Sequence, residues 1–312
     1  MIRLKSLVFA ESTKRSYGSL LHTYLSFCED HQLPALPATD INIGRYIAYL
    51  APSKTPSSIQ QYLTVIRLLH LEFNLPHPLQ DNHHITSLLK AVKRDKGSGH
   101  RYKLTLSCSH MAAMLPYLNL EKVSDAQLWS LLLACFFGML RISNVTVPQL
   151  NNWAPAKSIT RSDIDFHPNG CILNMRWTKT LQFRERVLQT ALPSLSSELC
   201  PTSALLNFIT LAGDVPPDAP AWAYIDQSGQ LKVPTPASVR SRLHSLISAL
   251  GLSTSDFNTH SLRRSGASHL LSAGVPLEVI KILGDWKSDS VFRYLKPDCS
   301  QRLSIVNKSF SM

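Results

Sequence analysis

The sequence predicts a mainly α-helical protein with a small antiparallel β-sheet: an N-terminal helical bundle followed by a larger α+β domain. Three observations predict it. Apolar residues recur with the helical period through residues 12–94. Between residues 161 and 192 the pattern changes to short β-type runs broken by turns. Helical periodicity then returns in the C-terminal third. At 312 residues the chain has room for about two domains.

Taken in order, Tyr17, Leu20, Leu21, Tyr24, Leu25 and Cys28 place one apolar stripe on a first helix, with Ser12 or Thr13 as its cap. The segment Leu33 to Thr39, with two prolines, ends it. A second helix is expected from about Ile41 to Leu50, and APSKTPS breaks the chain after it. A third carries Ile59, Tyr62, Leu63, Ile66, Leu69 and Phe73 on one face, and PHP at 76–78 breaks again. A fourth covers about Ile85 to Arg94. Short helices with short connections make a small bundle. The pair His83-His84 reads as a solvated helix start, not a metal site.

The stretch KAVKRDKGSGHRYK (90–103) holds Lys90, Lys93, Arg94, Lys96, Arg101 and Lys103 against Asp95 alone, nearly half of the chain's net charge of +11. Gly97, Ser98 and Gly99 make it flexible. It reads either as a solvated linker or as a basic strap crossing a phosphate backbone between two domains. The boundaries drawn are a helical domain over 8–95, a basic linker over 96–105 and a second domain over 106–312.

Beyond residue 105, helices are expected near 109–118 and 124–140. The runs DIDF, CILNMRW and RERVLQTAL, separated by HPNG and TKTLQF, read as the small antiparallel sheet. Helices follow near 201–212, 236–250, 261–273 and 276–283. The most apolar run, Leu128 to Leu140, is well short of the roughly 20 residues of a membrane span, so it reads as a buried helix.

Composition narrows the function. An apolar fraction of 44% with 17% charged residues describes a globular chain, and the basic excess points to a polyanionic partner such as nucleic acid. The six cysteines are scattered without a C-x-x-C pair, which indicates neither a zinc site nor a disulfide framework; they read as reduced thiols of an intracellular protein. The start, MIRLKSLVFAESTKRS, lacks the long apolar segment of a secretory signal.

The residues that carry chemistry lie in HSLRRSGASHLL and the segment after it. His260 and Arg263 share a face in the first turn of a helix, where free backbone N–H groups also favour anions. Thr259 is a plausible cap, Gly274 a stop, and Pro276 can open a second helix ending at Gly284. Asp285-Trp286 follows, then Ser288 or Asp289 as the cap of a third short helix bearing Tyr294.

The order His, Arg, Trp, Tyr in HSLRRSGASHLLSAGVPLEVIKILGDW…RY resembles the C-terminal signature of the tyrosine recombinases, the phage integrase family. That resemblance implies an arginine at the end of an apolar helix, met by Arg141 in GMLRISNV, and a lysine in a β-hairpin turn, met by Lys179 in NMRWTKTLQFRERV. It extends over nearly the whole chain, with residues 12–94 in the place of the family's helical, SAM-like core-binding domain and the rest in that of the α+β catalytic domain. The phrases LLKAVKRDKG, TKTLQF and GDWKSD are most similar to recombinases of eukaryotic mobile elements such as DIRS-like retrotransposons and Cryptons. Two departures stand out. Asn144 replaces the family's usual acidic residue. Trp286 stands eight residues before Tyr294, one fewer than usual, and Asp285 holds the more usual place.

The resemblance implies cutting and rejoining of double-stranded DNA through a 3′-phosphotyrosyl intermediate on Tyr294, without metal, ATP or other cofactor. Arg141 and Arg263 would clamp the nonbridging oxygens with forked donors. His260 would handle the tyrosine proton, Lys179 would protonate the departing 5′-oxygen, and Trp286 would donate its indole N–H to the phosphate. Lys90, Lys93, Arg94, Lys96, Arg101, Lys103 and Arg264 are the expected DNA-backbone contacts, and His269 is structural. A homotetramer assembled on DNA, its C-terminal tail docked on the neighbouring subunit, and a nuclear location are further expectations, with no membrane or small-molecule partner. Two other readings fit the same residues: a type IB topoisomerase-like nicking-closing enzyme, and an inactive DNA-binding derivative.

Overall fold

A computed structural model describes residues 8–97, 103–149, 153–183 and 185–286, together with the isolated positions Val291, Phe292, Leu303 and Asn307. The chain divides into two compact units, Met1–Arg101 and Tyr102–Met312.

In the first unit four helices surround one core: α1 (Glu11–Asp30), α2 (Asp40–Leu50), α3 (Pro56–Glu72) and α4 (His83–Lys96). α2 starts one residue before the expected Ile41, and Thr39 and Thr55 cap α2 and α3, each side-chain oxygen accepting a first-turn N–H. α1 starts after Ala10 with no side-chain cap, so neither Ser12 nor Thr13 caps it. Its buried stripe is also rotated from the expected one: Phe27 joins Tyr24 and Cys28 inside, while Leu25 is exposed. The cause is aromatic packing, since Tyr46 of α2 meets both Tyr24 and Phe27, with ring centroids 5.2 and 4.9 Å apart.

His70 pins the loop between α1 and α2 onto α3. It is fully buried, its Nε2 accepts the Ala38 N–H at 3.0 Å, and its Nδ1 faces the Ile66 carbonyl at 2.9 Å, which fixes the Nδ1–H tautomer.

α4 extends through Lys96, capped at its start by Asn82. Lys90, Lys93 and Arg94 project, exposed, from the helix expected over about 85–94, and Lys96, assigned to the linker of 96–105, belongs to its last turn. Three of these cations sit in the last turn, where they also offset the helix dipole. Arg101 lies outside the described residues.

The second unit is built on α6 (Val123–Phe137), preceded by α5 (Cys108–Met114). The apolar run expected to be a buried helix is one: Leu131 through Cys135 are completely inaccessible. A three-stranded antiparallel sheet follows, β1 (Ile164–His167), β2 (Gly170–Met175) and β3 (Leu188–Pro193), in that spatial order. Residues 185–187, expected near the head of the third strand, lie outside it. α8 (Pro201–Leu211) packs on α6, and the small pair β4 (Tyr224–Ile225) and β5 (Leu231–Lys232), not anticipated from the sequence, precedes α9 (Pro236–Ala249). α10 (Thr259–Ser272) and α11 (Leu277–Leu283) close the described order. No described helix is long and apolar enough to cross a membrane.

α10 crosses α6 so closely that a Cβ on Gly266 would lie 2.0 Å from the Phe136 carbonyl oxygen. Gly266→Ala should therefore destabilise the second unit by about 1–3 kcal/mol, the usual cost of overpacking, read as a lower denaturation midpoint; an unchanged midpoint would refute the close crossing. Gly18, in the middle of α1, is the opposite case: a Cβ added there would meet nothing within 4 Å. Gly18→Ala should stabilise the first unit by about 0.5–1 kcal/mol through helix entropy alone.

Candidate active site

The site grows from the end of α6. Gly138 caps the helix, and Met139 follows with φ of 48°, a left-handed conformation that costs a non-glycine residue about 1 kcal/mol or more. The turn aims the Met139 carbonyl at α10 and delivers Arg141 to the start of a one-turn helix, α7 (Ile142–Val145). Arg141 is partly exposed there. Its backbone N–H donates to Asn144 Oδ1 at 2.9 Å, and the Asn144 N–H returns to the Arg141 carbonyl at 2.8 Å. An amide oxygen thus supplies the capping acceptor where the family resemblance leads one to expect a carboxylate.

α10 is capped by Asn258, one residue before the expected Thr259: Asn258 Oδ1 accepts the Ser261 N–H, and Ser261 Oγ accepts the Asn258 N–H, both at 3.1 Å. The cap sets His260 and Arg263 in the first turn. Arg263 is 3% exposed. Its Nη1 donates to the Met139 carbonyl, its Nη2 to the Gly284 carbonyl at 2.6 Å, and its guanidinium lies over the Trp286 ring, 4.0 Å from the centroid. Trp286, expected as an N–H donor to phosphate, is thus found as the surface that Arg263 rests on, a contact worth about 0.5–2 kcal/mol.

The turn that holds Arg263 ends α11. The Asp285 N–H reaches the Ile282 carbonyl and the Trp286 N–H the Lys281 carbonyl, with Asp285 left-handed at φ of 51°. Aspartate tolerates this conformation. Gly284 is required for a different reason: a Cβ there would fall 1.7 Å from Trp286 Cζ3.

Lys179 is exposed in the loop between β2 and β3. Thr178 and Leu181 pair across the turn, and Gln182 Nε2 donates to the Lys179 carbonyl at 2.8 Å. Arg176 of the same loop is paired with buried Asp163 at 2.8 Å. Arg141, Asn144, Thr178, Arg263 and Asp285 line one narrow cleft of about 10 Å³.

His260 reports the charge of this region. His260 is an exposed residue, yet the surrounding protein holds its pKa below the ordinary value, first by withdrawing water and then through Arg141, Arg263 and Lys179 in that order. Five of the sequence-derived candidates, Arg141, Lys179, His260, Arg263 and Trp286, are therefore brought together. Tyr294 lies outside the described residues. Lys103 and Arg264 are placed elsewhere: Arg264 Nη1 donates to the Lys103 carbonyl and Lys103 Nζ to the Ser255 carbonyl, clasping the segment before α5 to α10. His269 faces Cys108 and Phe136, away from the cluster. Among the described residues no group of three or more His, Cys, Asp or Glu could hold a metal ion.

Comparison with known proteins agrees with this fold. No family model matches the chain. An integrase/recombinase xerD homolog from Selenomonas ruminantium is 24% identical over 206 residues, which span 65% of this chain and 57% of that relative. Among solved structures, the Tn1549 transposon integrase in complex with transposon right end DNA superposes with a TM-score of 0.66 at 12% identity, covering 98% of this chain and 95% of that one. A lambda integrase dimer bound to a core site gives 0.59 at 16% identity over 95% and 92%. XerH site-specific recombinase bound to its palindromic substrate gives 0.60 at 12% identity over 87% and 72%. The fold is that of the tyrosine recombinases, and the sequence resemblance to that family holds.

The depressed pKa leaves His260 neutral near pH 7. Followed by NMR, its ring should titrate below about 6.5, the unperturbed value, and Arg141→Gln should move the midpoint upward; a midpoint at or above 6.5 in the unsubstituted protein would contradict the cluster. Folding disfavours the protonated ring, so this group's contribution to stability is full above the unfolded pKa and declines as pH falls through 6.5.

Proposed function

We propose that the protein is a site-specific DNA recombinase that cuts and rejoins strands through Tyr294. The observation that carries this reading is the convergence of Arg141, Lys179 and Arg263 about a neutral His260. Three cations around one proton acceptor suit a phosphodiester passing through a more highly charged phosphorane.

The steps balance as follows. The Tyr294 oxygen attacks phosphorus and its proton passes to His260. The bond to the 5′-oxygen breaks, and that oxygen takes a proton from Lys179 as it leaves. Arg141 and Arg263 hold the nonbridging oxygens. A 5′-hydroxyl from another strand reverses the step, so the covalent intermediate conserves the bond energy and neither metal nor ATP is required.

Lys90, Lys93, Arg94 and Lys96, on one exposed helix, would contact the DNA backbone; Arg101 belongs to the same basic run. The matched relative and solved structures are integrases or recombinases, several of them on DNA, which supports DNA as the partner. Finer parts of the proposal are integration of a mobile element of the DIRS-like or Crypton kind, a tetramer formed on DNA through the C-terminal tail, and action in the nucleus. The phrases TKTLQF and GDWKSD support the element type and the basic KAVKRDK run the nuclear location, while the tetramer is carried by the family resemblance and by the helical spacing of Cys299, Leu303 and Val306 in the tail.

The test is a nicked suicide duplex carrying the terminal repeats of the element, incubated in EDTA and resolved on a denaturing gel. A covalent protein–DNA band is expected from the unsubstituted chain and none from Tyr294→Phe. Arg141→Ala should form it about 10²–10³-fold more slowly. Intact binding with no covalent band would point to an inactive DNA-binding derivative. Relaxation of supercoils without exchange between two duplexes would point to a nicking-closing enzyme.

A further inference from the structure

We infer that Asp285 is a positioning residue that latches the Lys179 loop to the turn holding Arg263. The inference rests on the recombinase reading for its chemical consequence, but not for the latch itself.

Asp285 is 7% exposed, and both of its oxygens are used across the fold. Oδ2 accepts from Thr180 Oγ1 at 2.7 Å, and Oδ1 is ion-paired with Arg186 Nη2. Thr180 adjoins Lys179, and Arg186 stands seven residues beyond Lys179 along the same loop. One carboxylate therefore grips the loop at two points, on either side of Leu181 and Gln182. Its backbone neighbour grips the opposite wall, because the Gly284 carbonyl accepts from Arg263. Two consecutive residues of one turn thus tie together the buried arginine and the loop that carries the exposed lysine.

The residue types suit this task. A buried carboxylate without partners would be strongly disfavoured, so its bonds to Thr180 and Arg186 are the condition for its burial. A charge-assisted pair fixes direction as well as distance. A tryptophan or histidine here could not accept both bonds with one planar group. The departure from the usual pattern at position 285 then has a physical sense: the site gives up a donor there and gains a fixed placement for Lys179. A proton donor displaced by about 1 Å loses on the order of 10²-fold in rate.

The full-length protein is compared with Asp285→Ala, Asp285→Asn and Thr180→Val, the last removing only a hydroxyl from the loop side. Hydrogen–deuterium exchange reads the latch without reference to activity. The amides of Thr178, Thr180 and Leu181 should exchange about 10- to 100-fold faster in Asp285→Ala, the effect of losing a charged hydrogen bond, and by less in the two milder variants. Unchanged exchange in all three overturns the latch. Cleavage then reads its consequence, with two suicide substrates: one with the ordinary 5′-oxygen, one with sulfur in its place. A thiolate departs without taking a proton, so it does not need Lys179. Asp285→Ala should cleave the oxygen substrate about 10²-fold more slowly and the sulfur substrate at nearly the unsubstituted rate. Equal slowing on both substrates means a general structural defect and overturns the positioning role. If the unsubstituted chain cleaves neither substrate, the recombinase reading fails, and the exchange result still decides the latch.

Discussion

The buried guanidinium of Arg263 is the constraint on which much of the second unit depends. A charge taken this far from water is strongly disfavoured unless its donors are met, by several kcal/mol even after relaxation. They are met by the carbonyls of Met139 and Gly284 and by the face of Trp286. Each partner imposes a local demand. The Met139 carbonyl is presented only because the chain after α6 enters a left-handed conformation. The Gly284 carbonyl is presented because α11 ends in a turn whose left-handed residue is Asp285, and Trp286 reaches the guanidinium because Gly284 has no side chain. Gly266 lets α10 come close enough to α6 for the arginine to span the distance. The end of α6, its crossing with α10 and the turn after α11 all answer to one cation.

The same arrangement sets the electrostatics. Arg263 and Arg141 face a cleft with Lys179 nearby, and His260 is kept neutral beside them. Like charges held together by the fold repel one another, so part of the folding free energy is spent on an arrangement that only an anion relieves. Clustered cations of this kind are characteristic of functional sites.

Much of this is legible in the sequence because it is periodic or local. The helical stripes, the three β-type runs and the apolar helix before Arg141 follow from spacing alone, and Arg141, Lys179, His260 and Arg263 from the order of a recognised signature. What is not legible depends on partners far apart in the chain. Periodicity misplaces the stripe of α1 because Tyr46 draws Phe27 inward. Lys103 and Arg264 read as phosphate contacts, yet they bond to carbonyls that only the tertiary fold brings near. Asp285 reads as a failed donor, because its partners Thr180 and Arg186 lie about a hundred residues earlier. Its tolerance of a left-handed turn and the arginine in RERV are the available signals, and neither specifies the pairing.

The central claim is that these cations serve a single phosphate. A crystal structure of the full chain with Tyr294→Phe on its duplex tests it most directly. The expected result is one backbone phosphate within hydrogen-bond distance of both Arg141 and Arg263, with Lys179 at its 5′-oxygen. Phosphates that meet only the exposed lysines of α4, with the cleft between Arg141 and Arg263 empty, would contradict it.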